Sequence, residues 1–143
     1  MDLTNQLIEL RILLEERCDG FWDNGKNTIL SNKLKILYML ENVDCSPNEF
    51  INTLCMAKSN VATLLKKMIG DNLVDSYKSK DNNKNIYYKI TDGGIEELKR
   101  YKDKLIKQFL DKCDCDLNEL RLRINSVIEI LKGTKLWLNY TIH

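Results

Sequence analysis

The sequence predicts a mainly α fold with one small β-ribbon. Three observations lead there. The 143 residues include a single proline and six glycines, so little interrupts long helical stretches. Apolar residues recur at helical spacing through most of the length. Residues 73–90 break that rhythm: two short runs flank the polar turn Lys80-Asp81-Asn82-Asn83-Lys84, and the second run reads Ile86-Tyr87-Tyr88-Lys89-Ile90. That is the pattern of two antiparallel strands.

The first helix covers residues 2–18. Leu3, Leu7, Leu10 and Leu14 recur at spacings of four, three and four, with Ile8, Ile12 and Leu13 widening the stripe toward a coiled-coil-like seam. Asp2 or Thr4 is placed to cap it. Residues 20–27 read as a connection that must still bury Phe21 and Trp22. A second helix is expected over 31–41, with Ser31 as N-cap and Leu34, Leu37, Tyr38 and Leu40 on its apolar side. Ser46-Pro47-Asn48-Glu49 is a capping box with proline at the first helical position. It opens a short helix whose inward residues are Phe50, Ile51 and Leu54.

Cys55 to Ala57 makes a three-residue turn. The helix over 58–69 then carries Val61, Leu64, Leu65 and Met68 at i, i+3, i+4 and i+7, one buried face. Ala57 stands where a capping Ser or Thr is common, which costs the helix start about 1 kcal/mol. Gly70-Asp71-Asn72 supplies the stop, and the strands follow over 73–79 and 85–90. Asp92-Gly93-Gly94 opens a long helix to residue 112 with Ile95, Leu98, Tyr101, Leu105, Ile106, Phe109 and Leu110 apolar. Glu96 and Glu97 are expected in its first turn, favouring the helix dipole. Asp116 to Glu119 is a second capping box, before a seam of Leu117, Leu120, Ile124, Val127 and Leu131. The last residues, 135–143, are apolar enough to dock.

A short helix, a tight turn, a second helix and a ribbon define a winged helix-turn-helix, which lays its second helix in a DNA groove. The full expectation is a mainly α chain with a small β wing, its N- and C-terminal helices forming a dimerisation domain. Residues 1–30 give a dimerisation helix and connection, 31–91 the winged reader, and 92–143 the C-terminal dimerisation helices. The outer helices carry more apolar stripe than a small winged core needs, so a homodimer across a two-fold axis is expected.

Net charge is +1, yet it is unevenly spread: residues 1–30 sum to −3 and residues 46–91 to +3. The positive charge lies on the reading element, as phosphate contact requires. Five cysteines, an odd number with no CxxC spacing, argue against a secreted disulfide framework. With no leader and no run long enough to span a bilayer, a cytoplasmic protein without membrane contact is expected. The single histidine is His143 at the end of the chain, so Ser-His and Cys-His catalysis lack a base, and no glycine-rich phosphate loop occurs. The chain is expected not to be an enzyme and to need no cofactor. Cys113-Asp114-Cys115 without a nearby histidine is not read as a metal site.

Two segments carry a family resemblance. Gly70-Asp71-Asn72-Leu73-Val74 follows the reading helix, and Ile90-Thr91-Asp92-Gly93-Gly94 follows the wing. They are similar to the glycine-leucine-valine and leucine-threonine-x-x-glycine segments of the MarR family of bacterial transcriptional regulators. The resemblance covers essentially the full chain. Family wings usually carry Asp-x-Arg, where this sequence has Asn82 and Lys84. Lysine reaches a phosphate as a point charge and lacks the guanidinium fork.

On the second helix of the pair, Ser59, Asn60 and Thr63 have the reach for base edges, while Lys58, Lys66 and Lys67 suit phosphates. At the wing Lys80, Asn82 and Lys84 are the candidates, with Lys78 and Lys89 weaker. The resemblance implies a repressor that binds double-stranded DNA at a pseudo-palindromic operator and is released by a small-molecule effector or a redox signal. Phe21, Trp22, Tyr38 and Trp137 are the aromatic candidates for the effector, and Cys18 the candidate thiol. The alternative is a winged domain used for protein contact, with DNA binding weak or lost.

Overall fold

The computed structural model describes residues 2–17, 28–81 and 84–133. Its elements are α1 (Leu3–Arg17), α2 (Thr28–Leu40), α3 (Pro47–Leu54), α4 (Lys58–Gly70), β1 (Val74–Lys78), β2 (Ile86–Ile90), α5 (Asp92–Lys112) and α6 (Leu117–Lys132). This is the expected mainly α fold with a small wing. The connection through Phe21 and Trp22, along with Cys18, Asn82, Trp137 and the 135–143 segment, lies outside the described residues.

The core belongs to the middle of the chain. Ile36, Leu37 and Leu40 of α2 meet Phe50 and Leu54 of α3 and all four apolar positions of α4, with Cys45, Leu73, Val74 and Leu98 closing the cluster. The i, i+3, i+4, i+7 spacing of Val61, Leu64, Leu65 and Met68 thus buries one side of α4 completely. α2 departs from expectation at both ends of the argument. It starts at Thr28, which puts Ser31 inside the helix and not at its cap. Its buried face also includes Ile36, while Tyr38 is 61% exposed. Turning the face by less than one residue's 100° buries a fully apolar side chain and leaves the phenol wet, which is the cheaper arrangement.

Caps set the helix boundaries. Glu49 closes its arm of the box, accepting from Ser46 N–H at 2.8 Å. Cys55 ends α3 in the left-handed region at φ 53°, its N–H donating to Ile51 O. α4 starts at Ala57 without a side-chain cap. Its stop is a Schellman motif: Leu73 N–H donates to Met68 O at 2.9 Å and Asn72 N–H to Ile69 O at 3.0 Å. The left-handed residue is Asn72, at φ 60°, and not Gly70. Asparagine tolerates that conformation better than most side chains.

In the wing, β1 and β2 pair antiparallel from Val74↔Ile90 to Lys78↔Ile86. A third, single-residue partner joins: Cys45 and Tyr88 exchange both backbone hydrogen bonds, at 3.1 and 2.8 Å. The loop before α3 is thereby stitched to the edge of β2.

Thr91 ties the wing to the next helix. Its hydroxyl accepts from Gly94 N–H at 3.0 Å as N-cap of α5 and donates to Asn72 O at 2.7 Å. The acid in the first turn of α5 is Asp92; Glu96 and Glu97 fall one turn later. There Glu97 pairs with Lys33 at 3.5 Å and with Arg100, so its partners are side chains more than the dipole. We expect Thr91→Val to cost about 1.5 kcal/mol in a denaturant melt and Thr91→Ser almost nothing. A loss from Thr91→Ser with none from Thr91→Val would mean that the methyl group, not the hydroxyl, matters.

Only Gly94 and Leu98 of α5 are buried, and α1 and α6 contribute no buried residue. Asp116 caps α6 by accepting from Glu119 N–H at 3.1 Å. The return arm of that box is missing, because Glu119 Oε1 accepts from Arg123 Nε at 3.0 Å instead. The seam positions Ile124, Val127 and Leu131 stay exposed in the single chain, as do Leu3, Leu7 and Leu10 of α1.

Candidate nucleic-acid interface

The polar side of α4 is what remains after its core face is used. At 100° per residue, Ser59, Thr63 and Lys66 form the outermost row, opposite the buried set. Asn60 and Lys67 stand on one shoulder of that row, Lys58 on the other. All six are exposed. Among the described residues Lys58, Lys66 and Lys67 make no ion pair, so their charges are available to an outside anion. The Thr63 hydroxyl donates to Ser59 O at 2.9 Å. In that rotamer its oxygen is left to an outside group as an acceptor only.

The wing carries Lys78, Lys80, Lys84 and Lys89, each exposed. Ser79 N–H donates to Asn85 O at 2.8 Å and closes the ladder just short of the turn, which holds Lys80 and Lys84 near one end of the ribbon. Helix α4 and the ribbon flank a common core. The sequence therefore named residues that the fold brings onto two neighbouring elements.

Sequence reasoning missed the outer face of the small sheet. Tyr77 and Tyr87 are cross-strand partners, with stacked rings whose centroids lie 6.0 Å apart. Tyr77 Oη donates to Asp44 Oδ2 at 2.6 Å. That bond, helped by burial and the neighbouring negative charge, pushes the phenol up to about 12. Lys89 Nζ lies 5.9 Å from the centre of the Tyr77 ring. The inner face instead turns Tyr88 edge-on to Phe50, centroids 6.0 Å apart. The alternation in Ile86-Tyr87-Tyr88-Lys89-Ile90 places Tyr87 and Lys89 on one face. The reach to Asp44 has no local signature.

Of the effector candidates, Tyr38 is among the described residues, and it lies away from this surface. Tyr38 stands at the junction of α2 and α5, where Lys102 Nζ is 5.9 Å from its ring and 2.6 Å from Glu41. Cys45 is fully buried, and desolvation, with Glu49 and Asp44 adding to it, pushes its thiol up to about 12. It is no nucleophile at neutral pH. Cys55 and Cys115 are exposed and Cys113 is half-buried. The described residues hold no cluster of three or more metal-ligating side chains, and no helix among them is long and apolar enough to cross a membrane.

This geometry defines a winged helix-turn-helix with helical extensions at both ends. Residues 26–119 match the family model described as TFIIE alpha subunit, so the chain belongs to that family. No curated protein matches it in sequence. Among solved structures it superposes on the transcriptional regulator PA4135 with a TM-score of 0.71 at 14% identity, over 94% of this chain and 98% of that one. MarR of E. coli gives a TM-score of 0.66 at 12% identity, covering 89% and 96%. BpsR of Bordetella bronchiseptica, whose DNA binding is regulated by 6-hydroxynicotinic acid, gives 0.63 at 9%, covering 94% and 95%. At these identities the likeness is one of fold: the described residues have the MarR-type architecture.

Proposed function

We propose that the protein is a homodimeric transcriptional regulator that binds double-stranded DNA in a sequence-specific way, as a repressor on a pseudo-palindromic operator. The observation that carries this reading is the exposed row Ser59, Thr63 and Lys66 on α4, flanked by Lys58, Asn60 and Lys67, on a helix whose other side is wholly buried. Such a helix offers base-edge and phosphate contacts together, with the lysines of the wing beside it. The apolar faces left open on α1 and α6 support pairing of two chains, which sets two copies of α4 on one face of a duplex. Release by a small effector or a redox signal fits a reader joined to its dimer helices across the α2–α5 contact, where Tyr38 stands.

The test is a mobility-shift titration against the protein's own upstream region at several salt concentrations. Lys66→Ala with Lys67→Ala removes four lysines from the proposed dimer and is expected to flatten the slope of log K against log salt by about 4 and to weaken binding by roughly 100-fold. An intact dimer that prefers no fragment at low salt sinks the proposal.

A second reading is a winged domain for protein contact. It is favoured by the match to the TFIIE alpha subunit family and by a wing with Lys84 where an arginine is usual. Residual DNA binding with a flat salt dependence supports it, since phosphate neutralisation gives a steep slope.

A further inference from the structure

We propose that Tyr77 and Asp44 are positioning residues that fix the attitude of the wing relative to α4, so that Lys80 and Lys84 meet the same duplex as the reading helix. This rests on the DNA-binding reading above. The argument starts from how the ribbon is held. At its base, Val74 is buried in the core and Tyr88 is bonded to Cys45 on the far edge of β2. Toward its turn the ribbon is held by the pairs Tyr77↔Tyr87 and Lys78↔Ile86 and by the Ser79–Asn85 bond alone, and an isolated two-stranded ribbon is marginal in water.

The Tyr77 hydroxyl reaches back from this outer part to Asp44 at 2.6 Å, joining residues 33 apart in sequence. Asp44 is itself fixed, because the next residue, Cys45, is buried and hydrogen-bonded on both sides of its peptide. The Tyr87 ring stacks on Tyr77 and limits its swing. The bond therefore braces the ribbon three residues from Lys80. A carboxylate acceptor makes it stronger than a neutral one, and the phenol keeps its proton throughout the physiological range because its pKa lies near 12.

The variants are Tyr77→Phe, Asp44→Ala and Asp44→Asn, the last of which keeps an acceptor oxygen. Each is measured in two ways on the full chain. Amide hydrogen exchange of the free protein is expected to quicken around Ser79 and Asn85 in Tyr77→Phe and Asp44→Ala, and to stay near wild type in Asp44→Asn. Salt titrations of DNA binding are expected to show Tyr77→Phe flattening the slope by about 1 and weakening binding by roughly tenfold. The same change should vanish when it is made on top of Lys80→Ala with Lys84→Ala, since the contacts it positions are already gone. General destabilisation would lower affinity without that dependence on the wing lysines.

Unchanged exchange overturns the brace itself. Quickened exchange with an unaltered salt slope, or an effect additive with the lysine variants, overturns its role in positioning. A wild-type protein without salt-dependent DNA binding overturns the functional reading, and the positioning role with it, while the exchange data still decide the brace.

Discussion

Gly94→Ala is expected to lower stability by about 3 kcal/mol, visible as a fall of roughly 10 °C in Tm. A Cβ built there runs into the Leu73 carbonyl oxygen and comes within 2.6 Å of Ile90 Cγ1. One obstacle is main chain and the other is part of the wing, so neither swings aside. Gly94 is also the residue whose N–H is capped by Thr91, so moving α5 away to relieve the clash breaks that bond. Gly70→Ala is the matched control: nothing lies within 4 Å of its added methyl. As the last residue of α4 it should gain about 0.5 kcal/mol from helix propensity. Equal melting temperatures for the two variants would contradict the close packing of α5 on the Asn72-Leu73 turn.

Ile124→Asp with Val127→Asp on α6 is expected to convert the proposed dimer to monomer and to reduce DNA affinity at least about 100-fold, because each reader would then bind its half-site alone. Both side chains are exposed in the single chain and touch no part of the buried cluster. The winged core should therefore stay folded, with amide protection in α4 unchanged. Light scattering reports the mass and a mobility shift the affinity. A variant that remains dimeric places the interface elsewhere. Leu122 also projects from α6, 71% exposed, but on the side opposite the seam; a charge there should leave the proposed dimer intact.

The sequence was most informative where one stretch carries its own geometry. The four buried positions of α4 follow from spacing alone, and the short helix before it from Ser46, Pro47 and Glu49. Periodicity finds a face but ranks its members poorly, so it points to Tyr38 where the core takes Ile36. Capping residues are legible as types, yet their bonds depend on competitors: Glu119 could return to Asp116 but pairs with Arg123. The stop of α4 shows a glycine, and the strained residue proved to be Asn72. Contacts between distant residues left no local trace, among them Cys45 with Tyr88, Tyr77 with Asp44 and Thr91 with Asn72. For the site, exposed polar residues at helical spacing could be named from sequence. Their availability could be judged only after the ion pairs of the neighbouring helices were seen.

The Thr91 joint has a mechanical consequence. The carbonyls of Asn72 and Leu73, at the end of α4, accept from the Thr91 hydroxyl and amide at the start of α5. The reading helix and the long helix are thus fastened through one two-residue hub. With 13 residues, α4 extends about 20 Å from that hub, so a tilt of about 5° in α5 swings its far tip by nearly 2 Å. In a two-fold pair the displacement doubles. A few degrees of scissoring between the long helices would then shift the proposed readers by about one base-pair step relative to each other.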